Sequence, residues 1–308
     1  MQGVLEGFAT ILLVVAAGAL VAHLRIVDEA GQRTLTRLAF TVASPALMVT
    51  VLSEADVSRL FAGYVGAVVA GVAVVVLVWA VVAVLLRRGL VHGVVGALCT
   101  GYVNAGNLGL PVAAYVLGDA ALIAPVLLLQ MLVLQPLALA LLDRAAADRR
   151  PSVLRFVTTP FRNPITVGAL VGLALNLTGL RPPTALAAPL ELVAGMAVPV
   201  MLVAFGVSLR LGPLPGRGSS RPELALVVAL KVLLQPLVAW VVAGPLLDLP
   251  PAEVLAATVI SALPAAQNVF VVASRYDTGR TLLTARDAIA LTTFASIPVM
   301  VAVPALLG

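Results

Sequence analysis

Long apolar runs separated by short arginine-rich segments constrain this chain more than any other feature. Ten runs follow one another, and runs of about 20 residues cross the ~30 Å hydrocarbon core of a bilayer. Charged residues are only 11% of the 308 and hydrophobic residues 61%, whereas soluble domains carry about 25% charged residues. A soluble fold has no place for this much apolar surface, so the sequence predicts an all-α polytopic membrane protein. The predicted spans are 4–24, 35–52, 61–86, 94–117, 120–142, 164–180, 186–209, 224–247, 254–274 and 282–307.

The arginines predict how these spans are oriented. When loops are assigned alternately to two sides, 16 basic residues fall on one side and 2 on the other, and the side rich in Lys and Arg is the cytoplasmic one. A miscounted span would scramble this alternation. We therefore predict ten transmembrane helices in a plasma (inner) membrane, with both termini extracytoplasmic. The net charge of +5 is a topology signal in this interpretation, and no nucleic-acid partner is predicted.

The longest loop divides the chain into two halves of five spans. The predicted organisation is a first repeat over residues 1–142, a cytoplasmic loop over 143–162 and a second repeat over 163–308. Because five is odd, related halves would be inverted in the membrane. Residues 43–48 align with 197–202, and 101–115 with 261–275. These short matches favour an inverted repeat.

Spans four and nine each contain helix-breaking residues near mid-membrane. Residues 101–111 read GYVNAGNLGLP and residues 261–270 read SALPAAQNVF. Interrupted backbone within a bilayer is tolerated only where it lines protein or water, and paired interruptions in corresponding spans indicate a transporter binding site. We predict that the two broken helices cross and that their half-helix N-termini favour an anion. The alternative is a pair of packing kinks in which asparagine joins helices.

Lys231 is the one basic residue that no loop accounts for. It lies eight residues after Glu223, which is about 12 Å along a helix. A lysine at that depth is a functional candidate: it would balance the charge of a substrate carboxylate, or load and release a proton. The alternative is that it extends to the cytoplasmic surface. Gln130 also lies deep in its span, and we interpret it as lining the site.

The remaining polar motifs predict no further chemistry. His23 and His92 sit at cytoplasmic helix ends without metal-binding spacing, so they are predicted to be interfacial. The stretch 277–279, Asp-Thr-Gly, is predicted to be a cytoplasmic turn. An intramembrane enzyme would need two convergent catalytic groups, and only Lys231 is ionisable at depth. The sequence therefore predicts no catalytic residues, no metal and no cofactor.

Four stretches together resemble the auxin efflux carrier family, which includes plant PIN auxin carriers and bacterial carriers of malate- or malonate-like acids. They are residues 104–111 of span four, residues 263–276 of span nine, the Arg-Asn-Pro at 162–164 and residues 191–206 of span seven. The resemblance covers essentially the whole chain. It implies the bile-acid-symporter-like fold, with spans one, two, six and seven as a scaffold and spans three to five and eight to ten as a moving transport domain.

The same resemblance implies a function and a site. It implies an elevator-type cycle, homodimers formed through the scaffold, and an organic anion bound where spans four and nine cross. By position, Asn104 and Gln130 match binding residues of the family, and Lys231 stands where the plant carriers have a basic residue. Residues 267–268, Gln-Asn, differ from the plant pattern, which weakens the case for auxin itself. The loop over 143–162 is also short, so no phosphoregulated loop is expected.

We predict a secondary active carrier, outward by resemblance, for small organic anions such as carboxylates or auxin-like acids. The alternatives are a sodium- or proton-coupled importer on the same fold and a non-transporting membrane receptor. Sodium prefers carboxylate and carbonyl ligands, and the spans of the transport domain offer amides instead. The predicted substrate-binding residues are Asn104, Gly106, Asn107, Gln130, Gln267 and Asn268; the predicted helix breaks are Pro111 and Pro264; and Lys231 is predicted to balance charge or couple a proton.

Overall fold

The computed structural model describes residues 2–55, 63–145, 158, 161, 163–211, 220–276 and 279–307. Arg162, most of the predicted loop 143–162, and the Asp277-Thr278 pair of the predicted turn lie outside the described residues. Across the described residues the structure is helical, apart from turns and one isolated β-bridge.

The α-helices are α1 (Gln2–His23), α2 (Glu29–Leu38), α3 (Ser44–Glu54), α4 (Gly63–Leu85), α5 (Leu90–Gly101), α6 (Leu110–Tyr115), α7 (Ala124–Leu129), α8 (Gln135–Ala145), α9 (Pro164–Thr178), α10 (Thr184–Gly195), α11 (Ala197–Leu211), α12 (Arg221–Ala229), α13 (Gln235–Val241), α14 (Pro251–Ser261), α15 (Asn268–Tyr276) and α16 (Arg280–Leu307).

The all-helical prediction is confirmed, and the apolar helices follow the predicted spans. Six helical stretches among the described residues are long and apolar enough to cross a membrane: Glu29–Glu54, Gly63–Leu85, Ala120–Ala145, Thr184–Leu211, Arg221–Leu246 and Arg280–Leu307. Four shorter apolar helices are Ala9–His23, Leu90–Gly101, Pro164–Thr178 and Pro251–Ser261. Each of these stretches overlaps one predicted span. The crossing of the bilayer by all ten, and the inverted repeat, stay predictions.

Several helices contain a five-residue π-helical turn, and prolines explain most of them. Proline lacks an N–H and its ring collides with the carbonyl four residues earlier. A π-turn lets that carbonyl avoid the ring. In four of these turns a proline stands two residues after the end, so the colliding carbonyl belongs to the middle residue of the turn. The four are Ala39–Ala43 before Pro45, Ala105–Gly109 before Pro111, Gln130–Leu134 before Pro136, and Leu230–Leu234 before Pro236.

The chain forms two compact units. The first comprises Met1–Phe61, Gly106–Leu128 and Thr159–Pro213, and the second comprises Ala62–Ala105, Leu129–Thr158 and Leu214–Gly308. The first unit contains spans one, two, six and seven, together with the segment 106–128 that the sequence assigned to the moving domain. The division into scaffold and transport domain stays a prediction.

In the first unit, helices approach closely at glycines. A Cβ added to Gly206 of α11 would lie 2.0 Å from the carbonyl oxygen of Val15 in α1, and one added to Gly18 of α1 would lie 2.3 Å from that of Val203 in α11. Small residues permit such backbone contact between membrane helices. The glycines at 168 and 172 make the same kind of contact between α9 and α3, so the small-residue pattern at 168–172 serves packing.

Two asparagines fix the ends of helices in the first unit. The side chain of Asn163 accepts hydrogen bonds from the N–H groups of Ile165 and Thr166, which caps α9, and Pro164 fills the first helical position. The side-chain NH₂ of Asn176 lies 2.8–3.1 Å from the carbonyl oxygens of Leu52, Ser53 and Ala55, which share its two hydrogens. Because the last carbonyls of a helix lack intrahelical partners, Asn176 satisfies the end of α3.

The second unit has a large apolar core around Trp79 of α4. The Trp79 indole N–H donates to the carbonyl of Gly93 at 2.9 Å, and a Cβ on Gly96 would lie 2.2 Å from its ring. Glycine at position 96 therefore admits the indole against α5. The core includes residues from α4, α5, α8, α12, α15 and α16, so these helices are packed as one body.

Candidate functional site

The break in span four falls after Gly101. Helix α5 ends there, and Tyr102 adopts an extended conformation with φ −90° and ψ 103°. Helical structure resumes in the π-turn Ala105–Gly109 and continues into α6. Residues 102–104 therefore form a short extended segment, in the glycine-containing region where the sequence predicted a break. Pro111, the predicted point of the break, lies seven residues after Asn104, at the start of α6.

The break in span nine lies between α14 and α15. Helix α14 ends at Ser261 and α15 begins at Asn268, with Pro264 between them. Proline cannot supply the N–H that would continue α14. The predicted break at Pro264 therefore coincides with a real interruption of the helix.

The two interruptions lie against each other in the second unit. Val103 and Ala265 form an isolated antiparallel bridge. The N–H of Asn104 donates to the carbonyl of Pro264 at 2.8 Å, and the N–H of Ala266 donates to that of Tyr102 at 3.0 Å. We call the residues 102–104 and 264–266 the crossover.

A third helix completes the crossover. The N–H of Ala265 donates to the hydroxyl oxygen of Thr292 in α16 at 3.2 Å. The N–H groups of Asn104, Ala265 and Ala266 are thus used inside the protein, which satisfies buried backbone where water is excluded. These three N–H groups are therefore not free to bind a ligand, although the sequence predicted that the half-helix N-termini would favour an anion. The side chains near the crossover are then the better candidates for ligand binding.

The predicted amide side chains of the second unit lie in and beside the crossover. Asn104 is buried, and Gln267 and Asn268 are half-buried. Asn268 lines a small cavity of about 10 Å³ together with Tyr102 and Gln135. The Tyr102 hydroxyl donates to the side-chain oxygen of Gln135 at 3.2 Å. The sequence predicted no role for Tyr102 or Thr292, and it favoured a role for Gln135 in joining helices rather than in lining the site.

Gln130 presents a buried amide with unused hydrogen-bonding capacity. Its side chain is 2% exposed, it opens the π-turn before Pro136, and neither amide atom has a hydrogen-bond partner among the described residues. Leaving such a group unsatisfied costs about 1–3 kcal/mol. A ligand that supplied polar groups here would recover part of that free energy.

Lys231 is fully enclosed in the second unit. Its exposure is 0%, and its Nζ donates to the side-chain oxygen of Gln235 at 2.5 Å. No ion pair to Lys231 occurs within the part of the chain that the structure describes. The extended conformation that reaches the membrane surface, which was the alternative, is therefore not the one found here, and the buried amine has an amide rather than a carboxylate as its partner.

The other predicted residues belong to the first unit. Gly106 and Asn107 are half-buried in the π-turn Ala105–Gly109, and Pro111 is buried at the start of α6. Asn107 is the middle residue of that turn, where the proline-induced distortion is centred. Their roles in binding stay predictions.

These features define a class of protein: a multi-pass membrane protein in which two interrupted helices meet in a buried polar region. Comparisons with known proteins agree with this class. The sequence profile of the membrane transport protein family matches residues 4–303. The chain therefore belongs to this family, the auxin efflux carrier family, and the resemblance is confirmed.

Two curated relatives are similar along most of their length. An "uncharacterized transporter" of Methanothermobacter thermautotrophicus is 29% identical over 246 residues, which are 77% of this chain and 78% of the relative. A "putative malonate transporter" of Rhizobium meliloti is 26% identical over 261 residues, 82% of this chain and 81% of the relative. Both relatives are thus named as transporters.

Proposed function

We propose that the protein is a secondary active carrier of small organic anions and that a substrate carboxylate binds beside Lys231 in the second unit. The observation that supports this most is the buried amine of Lys231, which donates to the neutral side chain of Gln235. Burying an unpaired charge is costly, and an ionisable group inside a membrane protein marks a substrate or ion pathway. A bound anion would supply the missing negative charge.

Amide groups would complete the carboxylate site. Asn104, Gln267 and Asn268 each carry an NH₂ that donates two hydrogen bonds, and Gln130 adds an amide without a partner among the described residues. Hydrogen bonds to a charged group are stronger than neutral ones. A single lysine with several neutral donors suits a small mono- or dicarboxylate.

The relatives narrow the substrate class. The name of the Rhizobium meliloti relative contains malonate, and a short dicarboxylate would use both the cation and the amides of the proposed site. We take malonate-like acids as the first substrates to test and auxin-like acids as the second. The same site would also serve uptake or exchange of such acids. We take outward transport as the direction, because the family resemblance implies it.

The wider cycle is proposed from the same resemblance. An elevator-type movement of one domain against a scaffold, and a homodimer formed through that scaffold, would accompany the ten-span inverted repeat. The arginine-rich side would face the cytoplasm of a plasma membrane, with both termini outside.

Ligand binding is tested by thermal unfolding of the purified protein. A ligand that binds only the folded state stabilises it by about 2.7 kcal/mol at 100 times its Kd. We expect malonate or malate to raise the unfolding temperature and malonamide, which has the same shape without charge, to leave it unchanged. Equal shifts with malonate and malonamide, or none with any carboxylate, would argue against an anion site.

Sodium coupling is the alternative with a structural feature in its favour. Asp287 of α16 is fully buried, although the sequence suggested no acid in the core of these spans. Its carboxylate accepts two hydrogen bonds from Arg286, at 2.8 and 2.9 Å. Because an arginine already neutralises it, we favour sodium-independent transport, and flux measured in choline buffer decides between the two.

A further inference from the structure

A second polar cluster lies in the second unit, where helices α5, α12 and α16 begin. The Glu223 carboxylate is 3% exposed and accepts from Arg88 at 2.7 Å. The Nε2 of His92 contacts the other carboxylate oxygen, Oε1. A guanidinium nitrogen of Arg280 lies 3.9 Å from Oε2, the oxygen that Arg88 contacts. The His92 Nδ1 lies 3.1 Å from the hydroxyl of Thr281. We call Glu223, Arg88, His92, Arg280 and Thr281 the Glu223 clasp.

Glu223 is the centre of the clasp, because its carboxylate is the acceptor that Arg88, His92 and Arg280 share. A carboxylate only accepts hydrogen bonds, so the His92 Nε2 carries the proton and donates. His92, predicted to be interfacial, has a side chain only 11% exposed. One buried carboxylate therefore pairs with Arg88, lies within 3.9 Å of Arg280 and accepts a hydrogen bond from the His92 imidazole.

Three helices begin at the clasp. Helix α5 starts at Leu90, α12 at Arg221 and α16 at Arg280, so their N-termini gather where basic side chains also gather. Helix N-termini carry partial positive charge, which favours an anionic side chain and disfavours cations. Glu223, in the first turn of α12, is the negative charge that makes this arrangement favourable.

The same three helices reach the proposed site at their other ends. Helix α5 leads to Asn104 through Tyr102. Lys231 lies eight residues after Glu223, about 12 Å along the helix, and Thr292 lies eleven residues after Thr281, about 16 Å along α16. Thr292 in turn accepts from the N–H of Ala265. The clasp thus joins the starts of α5, which leads into the crossover, of α16, which contacts the crossover through Thr292, and of α12, which leads to Lys231.

Apolar packing connects the two ends. The core between them includes Cys99 of α5, Leu224 and Val227 of α12, and Ala285 and Ala288 of α16. Close-packed interiors transmit displacements rather than absorb them. A shift of one helix at the clasp would therefore move its residues at the crossover.

We propose that Glu223 is a positioning residue of the carrier: by tying α5, α12 and α16 at one end, it sets the relative positions of Asn104, Lys231 and Thr292 at the other. This inference rests on the proposed function, because it assigns a purpose to the geometry of that site. Glu223 itself does not touch the substrate.

Transport kinetics distinguish positioning from simple support of the fold. Loss of folded protein lowers Vmax at an unchanged KM, whereas misplaced binding groups raise KM. Mutations along coupled networks change affinities by about 2- to 30-fold. We expect Glu223→Gln to raise the KM for malonate about tenfold, with Vmax per folded protein within about twofold of wild type, and Glu223→Asp to lie between. A lower Vmax at wild-type KM, or wild-type values for both, would overturn the proposal.

The control variant is Glu29→Gln. Glu29 pairs with Arg33 at 3.6 Å on the surface of the first unit, where the two side chains are 73% and 70% exposed. This substitution removes the same charge without touching the clasp, so KM and Vmax should equal those of wild type.

Cys99 offers a readout that needs no transport. It is the only cysteine, is fully buried and lies seven residues, about two helical turns, after His92. We expect a maleimide to label Cys99 faster in Glu223→Gln than in wild type or Glu29→Gln. Unchanged labelling overturns the clasp whether or not the protein transports a carboxylate. Absence of carboxylate flux in wild type refutes the proposed function alone, and labelling then decides the clasp.

Discussion

Lys231→Met is expected to leave a folded protein that no longer transports carboxylates at a useful rate. Methionine has nearly the length of lysine and fills the same space without charge. The substrate would lose a charged hydrogen-bond partner, which is worth about 1.5–3 kcal/mol, or roughly 10- to 150-fold in flux at low substrate concentration. Flux into proteoliposomes containing equal amounts of folded protein measures this loss.

The thermal stability of Lys231→Met should be equal to or higher than that of wild type, although its transport rate is lower. An enclosed amine loses its hydration on folding, and methionine avoids that penalty. The variant gives up the hydrogen bond to Gln235 but removes the larger cost of burial. We therefore expect an unfolding temperature equal to or above that of wild type, measured without substrate.

The matched control is Leu233→Ala. Leu233 belongs to the same π-turn as Lys231, but its side chain is 61% exposed and faces away from the core. Transport by this variant should stay near wild type. Wild-type transport by Lys231→Met would show that Lys231 does not face the substrate.

Gly206→Ala is expected to prevent correct packing of the first unit. The added methyl carbon would lie 2.0 Å from the Val15 carbonyl oxygen and 2.9 Å from the Ala19 nitrogen. Both atoms belong to the backbone of α1, so no side-chain rotation relieves the collision. Overpacking costs about 1–3 kcal/mol and occasionally more, and we expect the upper end or beyond. Size-exclusion profiles and unfolding temperatures measure the effect.

Gly66→Ala provides the comparison. Gly66 lies in α4, and a Cβ there has no atom within 4 Å. Alanine is also a better helix former than glycine by about 1 kcal/mol, so this variant should be as stable as wild type or more so. Equal stability of Gly206→Ala and Gly66→Ala would contradict the close contact between α1 and α11.

The sequence carries local information well, which is why the helices and their breaks were predicted. Apolar length marked the stretches that became helices, and the residues around Gly101 and Pro264 marked the interruptions. Prolines at 111, 136 and 236 also determine π-turns, but only the geometry shows that the carbonyl four residues earlier is the one displaced. The local prediction succeeded because helix breaking depends on a few neighbouring residues.

The Glu223 clasp was not predictable in the same way. Arg88 and Glu223 are 135 residues apart, and His92 and Thr281 are 189 apart. Each residue, taken alone, is typical of a cytoplasmic helix end, where basic side chains are expected. Only the packing of α5, α12 and α16 brings them around one carboxylate. The pairing of Tyr102 with Gln135 depends on tertiary packing in the same way.

Malonate flux in proteoliposomes, without sodium, tests the central claim most directly. We expect wild type to transport malonate and Asn104→Ala to lose at least about tenfold of that rate, because an amide bonded to a charged carboxylate contributes about 1.5–3 kcal/mol. Malonate flux by wild type that falls in Asn104→Ala and Lys231→Met would support a carboxylate site at the crossover. Equal flux in wild type and both variants would contradict it.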